Sequence, residues 1–456
     1  MSNDVDVLVI GAGACGLSAA IAAHDGGASV AIVEKRDRPG GNSSLSTGSV
    51  PGAGSRFQRR AGIIDSPAQM IADLMRIAGD TEDPPLLLRM AEVSAETVEW
   101  LVDTVEARMQ LITAYKHIGH TVERLHAPKS RRGQDLVDDL LAAVAKRAIP
   151  LAVGNSVEDL IVEDGRVAGA LVDTGGHTSR VMARHVVLAT NGFAADRNLV
   201  QQYCPEIAGA QYFGALGSHG EAVRWGRKVD AALANMGAYQ GYAAVAYPHG
   251  SLLSWTTIEK GGILVGADAK RFGDESLGYS GFARVVLEQG PFAFAIFDQR
   301  IFDVAALEEE FMELVRYGGV KKATTVADVA SLCECDGATL QMTLDAYHRA
   351  ARGEVADVFG RKDFAHAPLT APYYCCRVVP GLFHTQGGLK VDGNARVLDA
   401  NGKPIPGLFA GGGAAAGISG RAGALGYASG NGLLTAIALG RLAGMTAASD
   451  CRETAG

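Results

Sequence analysis

With 456 residues, 48% hydrophobic and 20% charged, the chain is too apolar for disorder and long enough to bury a large core in about two or three domains. Its 58 glycines fall in short clusters without a period, which excludes a collagen-like repeat and favours close approach of the backbone to a ligand. A net charge of −8 argues against nucleic acid as a partner.

The first predicted strand, Val5 to Ile10, runs into Gly11-Ala12-Gly13-Ala14-Cys15-Gly16, then a helix to His24 and a second strand from Ser29 that ends in Glu34. Strand, glycine turn, helix, strand and acid in that order form the unit that binds a dinucleotide. Gly11 permits the tight turn, Gly13 admits a pyrophosphate to the backbone, and Gly16 lets helix and strand pack closely. The helix start at Ala14 faces the phosphates, and Glu34 stands where a carboxylate accepts from an adenosine ribose. Cys15 is read as a small buried side chain. The next stretch, with Lys35, Gly40, Gly41, Asn42, Ser43, Ser46, Thr47 and Gly48, reads on its own as a flexible loop.

Residues 66 to 108 show helical periodicity, with a cap at Ser66-Pro67 and a break at Asp83-Pro84-Pro85, and Leu136 to Arg147 is a further amphipathic helix. Between them lie Tyr115, His117, His120 and His126, candidates to reach a substrate set against ordinary packing or surface roles. Val157 to Val172 reads as a hairpin turning at Glu163-Asp164-Gly165, and Val186 to Leu188 as a buried strand that ends at Thr190-Asn191-Gly192. Regular periodicity fades after about residue 205. Ile263 to Val265 is then a strand, Arg271-Phe272-Gly273-Asp274-Glu275 and Tyr279 follow, and 325 to 352 are helical.

Near the end come His384-Thr385-Gln386-Gly387-Gly388, Gly411-Gly412-Gly413, Arg421 and Gly426-Tyr427-Ala428-Ser429-Gly430-Asn431-Gly432-Leu433, the last opening an apolar helix to Ala443. Seven cysteines lack a second pair at zinc-ligand spacing, so reduced thiols and no metal site are expected. The N-terminus opens with Asp4 and Asp6 rather than a basic region, and no apolar run is read as a membrane span, so a soluble, cytoplasmic protein is expected.

The glycine turn, the acid, GGNSSLSTG and the C-terminal glycine segments together resemble the FAD domain of the fumarate reductase and 3-ketosteroid dehydrogenase flavoprotein superfamily. The resemblance implies an α/β fold, a Rossmann-like FAD-binding domain of the glutathione reductase type, with an inserted α+β cap. The implied limits are 1–205 and 371–456 for the FAD domain and 206–370 for the cap. It also implies that FAD is held by Gly11, Gly13, Ala14, Cys15, Gly16, Glu34, Lys35, the 40–48 residues named above, Val157, Thr190, Asn191, Gly192, Gly388, Gly412, Ser429, Gly432 and Leu433. Members that attach FAD covalently carry a histidine in the 35–48 loop, and this chain has none there, so noncovalent FAD is expected. Where related enzymes carry AGE or AGN, the chain has Gly411-Gly412-Gly413 and loses a side-chain contact.

Fumarate reductases of the superfamily place a proton-donating arginine a few residues after an RFxxE segment; here that position is Tyr279. A guanidinium stays protonated at working pH, whereas a phenol can be ionised by its surroundings. Tyr279, and GYASG in place of ANRLGG, resemble the ketosteroid dehydrogenase branch. The resemblance implies a desaturase that forms a C=C bond beside a ketone carbonyl, on a small cyclic ketone or oxo acid (4-oxocyclohexanecarboxylate-like) or a 3-ketosteroid. Tyr279 is the implied base and Tyr427 the carbonyl donor, each set against plain packing, with Ser429 and Tyr115 as further candidates. His384 and Arg421 imply a substrate carboxylate, against the alternative that His384 packs beside the flavin and Arg421 pairs with an internal acid. The other reading is a fumarate reductase-like reductase of an α,β-unsaturated carboxylate. The electron acceptor is left open.

Overall fold

In the computed structural model, residues 4–114 and 116–453 are described. They divide into two compact units, one of 1–204, 214–239 and 384–456 and one of 205–213 and 240–383.

In the first unit, β1 (Val5–Ile10) lies parallel to β2 (Val30–Glu34) on one side and to the strand Thr178–Leu188 on the other. Leu151–Val153 extends this sheet beyond β2, and Pro404–Ala410 with Arg396–Leu398 extends it beyond Thr178–Leu188. Val7, Leu8 and Val9 have no exposed surface, as expected of a strand covered on both faces. Between β1 and β2 runs α1 (Ala14–Asp25). Gly11 has φ +106°, and a Cβ there would meet the Ala189 carbonyl oxygen at 2.4 Å; one on Gly16 would meet the Gly11 oxygen at 1.8 Å. Only glycine closes this turn.

Against α1 lies the helix Asn431–Glu453. A Cβ on Gly440 would stand 2.2 Å from the Cys15 oxygen, and one on Gly444 2.2 Å from the Ala19 oxygen. Two glycines one turn apart therefore bring the two helix backbones together. This helix runs ten residues beyond the expected end at Ala443, and it is long and apolar enough to cross a membrane, with mean hydropathy 1.3, which corrects the expectation that no run reaches that length. Buried over 72% of its apolar window, it uses that surface as a core helix.

Two further features differ from expectation. The 35–48 segment contains a short helix, α2 (Gly41–Leu45), because the Ser43 hydroxyl accepts from the Ala14 amide at 3.2 Å and ties the segment to the start of α1. The hairpin Ser156–Glu163 and Arg166–Asp173 continues into Thr178–Leu188 as a three-stranded meander.

The second unit is built on residues 373–383 of the strand Tyr373–Thr385, which pairs antiparallel with Ala293–Asp298 and Lys321–Ala323. Its core includes Phe297, Phe311 and Tyr347. The division also differs in detail from the expected limits. Residues 371–383 group with the second unit through that strand pairing. Residues 214–239 group with the first, where the Trp225 indole donates to the Glu158 oxygen at 3.2 Å and Lys228 pairs with Asp159.

Candidate active site

The glycine turn and α1 form one wall of a cradle. Glu34 is pinned beside it, one carboxylate oxygen accepting from the Ala12 amide at 2.8 Å and the other from the Arg36 amide at 2.9 Å. Asn155 and Gly154 donate to the carbonyls of Glu34 and Arg36, which brings the strand bearing Val157 to the end of β2. The Asn42 carbonyl accepts from the Ala215 amide at 2.6 Å, while Ser46 donates to the Ser43 oxygen at 2.7 Å and Thr47 meets Ser49 at 2.9 Å. Gly40, Gly41 and Gly48 all have positive φ and set the path of this segment.

The Lys35 ammonium is turned to Glu221 at 2.5 Å and to the Gly217 carbonyl. Cys15 is buried against Gly411, and burial pushes its thiol up to about 12, which keeps it a neutral packing group.

At Gly413 a Cβ would come within 2.6 Å of the Gly192 amide and 2.8 Å of the Asn191 amide oxygen. Asn191, at φ +66°, fills that space, accepting from Gly192 and donating to Ser218, each at 2.8 Å. The backbone at Gly411-Gly412-Gly413 thus has no room for the acid or amide of related enzymes. Thr190 Oγ1, Asn42 Nδ2 and Asn431 Oδ1 are buried without a hydrogen-bond partner among the described residues. Unpaired buried polar atoms are costly, and a polar cofactor lying along the cradle would satisfy them. The residues fit FAD.

Gly388 is buried where a Cβ would strike Ala415, so the segment after His384 packs directly on 414–415. At the start of the C-terminal helix, a Cβ on Gly432 would lie 3.3 Å from the His384 ring, and that ring meets Tyr427 edge-on at 5.7 Å between centroids. His384 Nδ1 stands 3.1 Å from the Gln386 amide nitrogen and 3.3 Å from the Thr385 oxygen. Nδ1 thus stands between a donor and an acceptor, and which of the two it serves sets the tautomer. Ser419 donates to the Gln386 oxygen at 3.0 Å, and Asn431 reaches Ser419 at 3.4 Å. Burial pulls His384 down to about 4, so near neutral pH it is an uncharged donor. Leu433 is buried.

Arg421 is elsewhere in character. Its side chain is 57% exposed and pairs with Asp80 at 3.3 Å and Glu82 at 3.6 Å, the acid-pairing alternative. Tyr115 lies outside the described residues.

The histidines of 117–126 belong to a buried network that composition did not reveal. Arg124, fully buried, makes a two-pronged contact with Asp65 at 2.7 Å and another with Asp73 at 2.9 Å. Its guanidinium also meets His120 Nδ1 at 3.0 Å, and His120 Nε2 lies 2.8 Å from the Ser429 carbonyl oxygen. Burial lowers His120 to about 4. His126 bonds to Ser55 at 2.9 Å and is likewise held near 4 by burial. Through His120 this network reaches the 427–430 turn.

In the second unit, Tyr279 begins the helix Gly278–Gln289 and stacks on Tyr242 with centroids 5.1 Å apart; Tyr242 stacks in turn on Phe383 at 5.4 Å. The Tyr242 hydroxyl donates to the Leu253 oxygen at 2.9 Å, and burial raises its pKa well above the usual phenol range. Arg271 and Glu275 of the RFxxE-like segment pair with each other through 2.6 and 3.0 Å contacts, and Arg271 also reaches Asp357 at 2.5 Å. Both are buried framework groups.

The FAD binding domain family matches residues 6–433. The chain is 31% identical over 98% of its length to a probable fumarate reductase of Shewanella frigidimarina, covering 75% of that protein, and 30% identical to an NADH:fumarate oxidoreductase of Klebsiella pneumoniae, of which it spans about half (48%). Among solved structures it resembles the open conformation of a flavocytochrome c3 fumarate reductase, with TM-score 0.84, 30% identity and coverage of 98% of this chain and 78% of that one. It also resembles a 3-ketosteroid-Δ4-(5α)-dehydrogenase of Rhodococcus jostii, with TM-score 0.76, 26% identity and coverage of 98% of both chains. The chain belongs to the FAD binding domain family and is an FAD-dependent oxidoreductase of the fumarate reductase and ketosteroid dehydrogenase group.

Proposed function

We propose that this flavoprotein is a dehydrogenase that introduces a C=C bond beside a ketone carbonyl, acting on a small cyclic ketone or oxo acid or on a 3-ketosteroid. The observation that carries the reading is the pairing of Tyr427 with an uncharged His384 while Arg421 is occupied by Asp80 and Glu82. Two neutral donors suit a ketone oxygen, whereas binding a carboxylate calls for cations. Tyr427 donates to the ketone oxygen and acidifies the α C–H, with His384, when its proton is on Nε2, as a second donor. A base takes the α proton, the role that the resemblance gives to Tyr279. Bound FAD supplies the acceptor for the hydride that leaves the β carbon.

A second reading, reduction of an α,β-unsaturated carboxylate, is favoured by the named relatives, several of which are fumarate reductases. Anaerobic titration separates the two. Under the first reading, oxidised protein loses its yellow colour on addition of a saturated cyclic ketone or keto acid. Reoxidation of the chemically reduced protein by unsaturated acids alone would refute that reading and establish the second. Tyr427→Phe is expected to lower turnover about a hundredfold with the flavin spectrum retained.

A further inference from the structure

The second unit contains a cavity of about 310 Å³ whose lining includes Tyr247, His249, Phe294, Lys321, Cys375 and Arg377. That volume is at the lower end of the range for small-ligand pockets. None of these residues belongs to the FAD cradle or to the Tyr279 stack.

Strand register explains how the lining forms. On Tyr373–Thr385, Cys375 and Arg377 are two apart and share a face. Lys321 sits directly opposite Cys375, and Phe294 opposite Arg377. The sheet therefore presents both cations and an aromatic ring to one side. Tyr247 is brought alongside by its amide, which donates to the Arg377 oxygen at 2.9 Å.

The Arg377 guanidinium lies between rings, 3.7 Å from the centre of Phe292 and 5.5 Å from that of Tyr247. Stacking takes up its faces and leaves its N–H edges for in-plane hydrogen bonds. Its Nε is buried with no hydrogen-bond partner, and neither Arg377 nor Lys321 has an ion-pair partner among the described residues. Glu334 also lines the cavity, so two cations face one acid. A monoanion balances that excess.

We propose that this cavity binds a small aromatic carboxylate. The carboxylate takes a two-pronged contact from the Arg377 edge with Lys321 beside it, and the ring of the ligand lies against Tyr247 and Phe294. The inference is independent of the desaturase reading, because it concerns binding within the second unit and no chemical step.

The test is calorimetric titration of the FAD-loaded protein with 4-hydroxybenzoate, with adenosine monophosphate as a parallel arm. One hydroxybenzoate site is expected, with the flavin spectrum unchanged on binding. Affinity is expected to fall about tenfold or more in both R377K, which keeps the charge but loses the planar fork, and K321Q. Should R377K fail to fold, judged by its melting curve, the exposed K321Q reads the same contact. Absence of binding heat, equal affinity in the variants, or a perturbed flavin spectrum that places the probe in the FAD cradle would overturn the proposal. So would binding of the monophosphate in preference to hydroxybenzoate, which would make the site one for phosphate.

Discussion

The His120 imidazole holds the carbonyl of Ser429 at 2.8 Å, joining residues more than three hundred positions apart. Ser429 answers through its own amide, which donates to the Ile118 oxygen at 3.0 Å. The 118–120 segment thus clamps the turn that carries Tyr427 and opens the C-terminal helix. His120→Ala removes the ring and with it the hydrogen bond to the Ser429 carbonyl, at a cost of about 1–3 kcal/mol. The melting temperature is expected to fall and FAD to dissociate more readily. A variant with unchanged melting and unchanged FAD release would remove His120 from this role.

Arg124 sets a larger penalty. Both its acids, Asp65 and Asp73, are as buried as the guanidinium itself. Arg124→Met leaves two carboxylates in the interior without their cation, and breaking a buried pair from one side costs about 3–5 kcal/mol. Chemical denaturation is expected to show that loss, and the double replacement with Asp65→Asn is expected to recover part of it. If the double variant is no more stable than the single one, unpaired charge is not the cause.

The contact of the C-terminal helix with α1 gives a case where two effects oppose. Gly440→Ala gains about 1 kcal/mol of helix propensity. Its Cβ, however, would stand 2.2 Å from the backbone oxygen of Cys15, which a rotamer change cannot relieve. Overpacking of this kind costs about 1–3 kcal/mol or more, so Gly440→Ala is expected to destabilise. Gly27, with nothing within 4 Å of an added Cβ but φ +90°, serves as the contrast in which backbone strain alone acts. A more stable Gly440→Ala protein would show that the helices separate at little cost.

The dinucleotide unit was legible because its rules are local. Gly16 and Glu34 are constrained by neighbours within about thirty residues, and spacing alone reveals them, whereas the close approach of Ala189 to Gly11 comes from a distant strand. The 384–386 and 426–432 segments were legible only through resemblance. What sequence could not reveal depends on distant pairings. Asn191 filling the space at Gly413, Lys35 turning to Glu221, and Arg421 turning to Asp80 each unite residues far apart in the chain. The same holds for Arg124, a lone arginine in sequence whose acids lie about fifty to sixty positions away. His120, four positions before it, carries no local signal, since burial and the Ser429 contact are tertiary facts.

Arg421 yields a discriminating variant. A substrate carboxylate gripped by a guanidinium contributes strongly, so its loss would raise KM by about a hundredfold. Exposed and paired to two acids, Arg421 is expected to change KM by no more than about twofold when replaced by Ala. Steady-state kinetics on a ketone and on a keto acid decide between these outcomes. A large KM increase confined to the keto acid would return Arg421 to the substrate.

Buried neutral histidines set the acid limit of stability. Burial draws His117 down to about 3 and His120, His126 and His384 to about 4, against an ordinary value of 6.5. Between roughly pH 4 and 6.5 the unfolded chain therefore binds protons that the native one refuses. Stability is complete above about pH 6.5 and declines as pH falls through that window, opposite in sign to a histidine held by an acid partner. Each unit of pH below 6.5 costs about 1 kcal/mol per such group. Carboxylates lowered by their partners, such as Asp73, whose bonds from the Thr121 amide and then Arg124 outweigh its burial, add their loss only below the usual carboxylate range. Melting temperatures at pH 7.5 and 5.5 are therefore expected to differ by several degrees. His384→Asn is expected to narrow the gap by removing one titrating group while keeping a donor near Tyr427. An equal gap in wild type and variant would show that His384 is already protonated in the native protein, and with it the neutral donor assigned to the ketone oxygen would be lost.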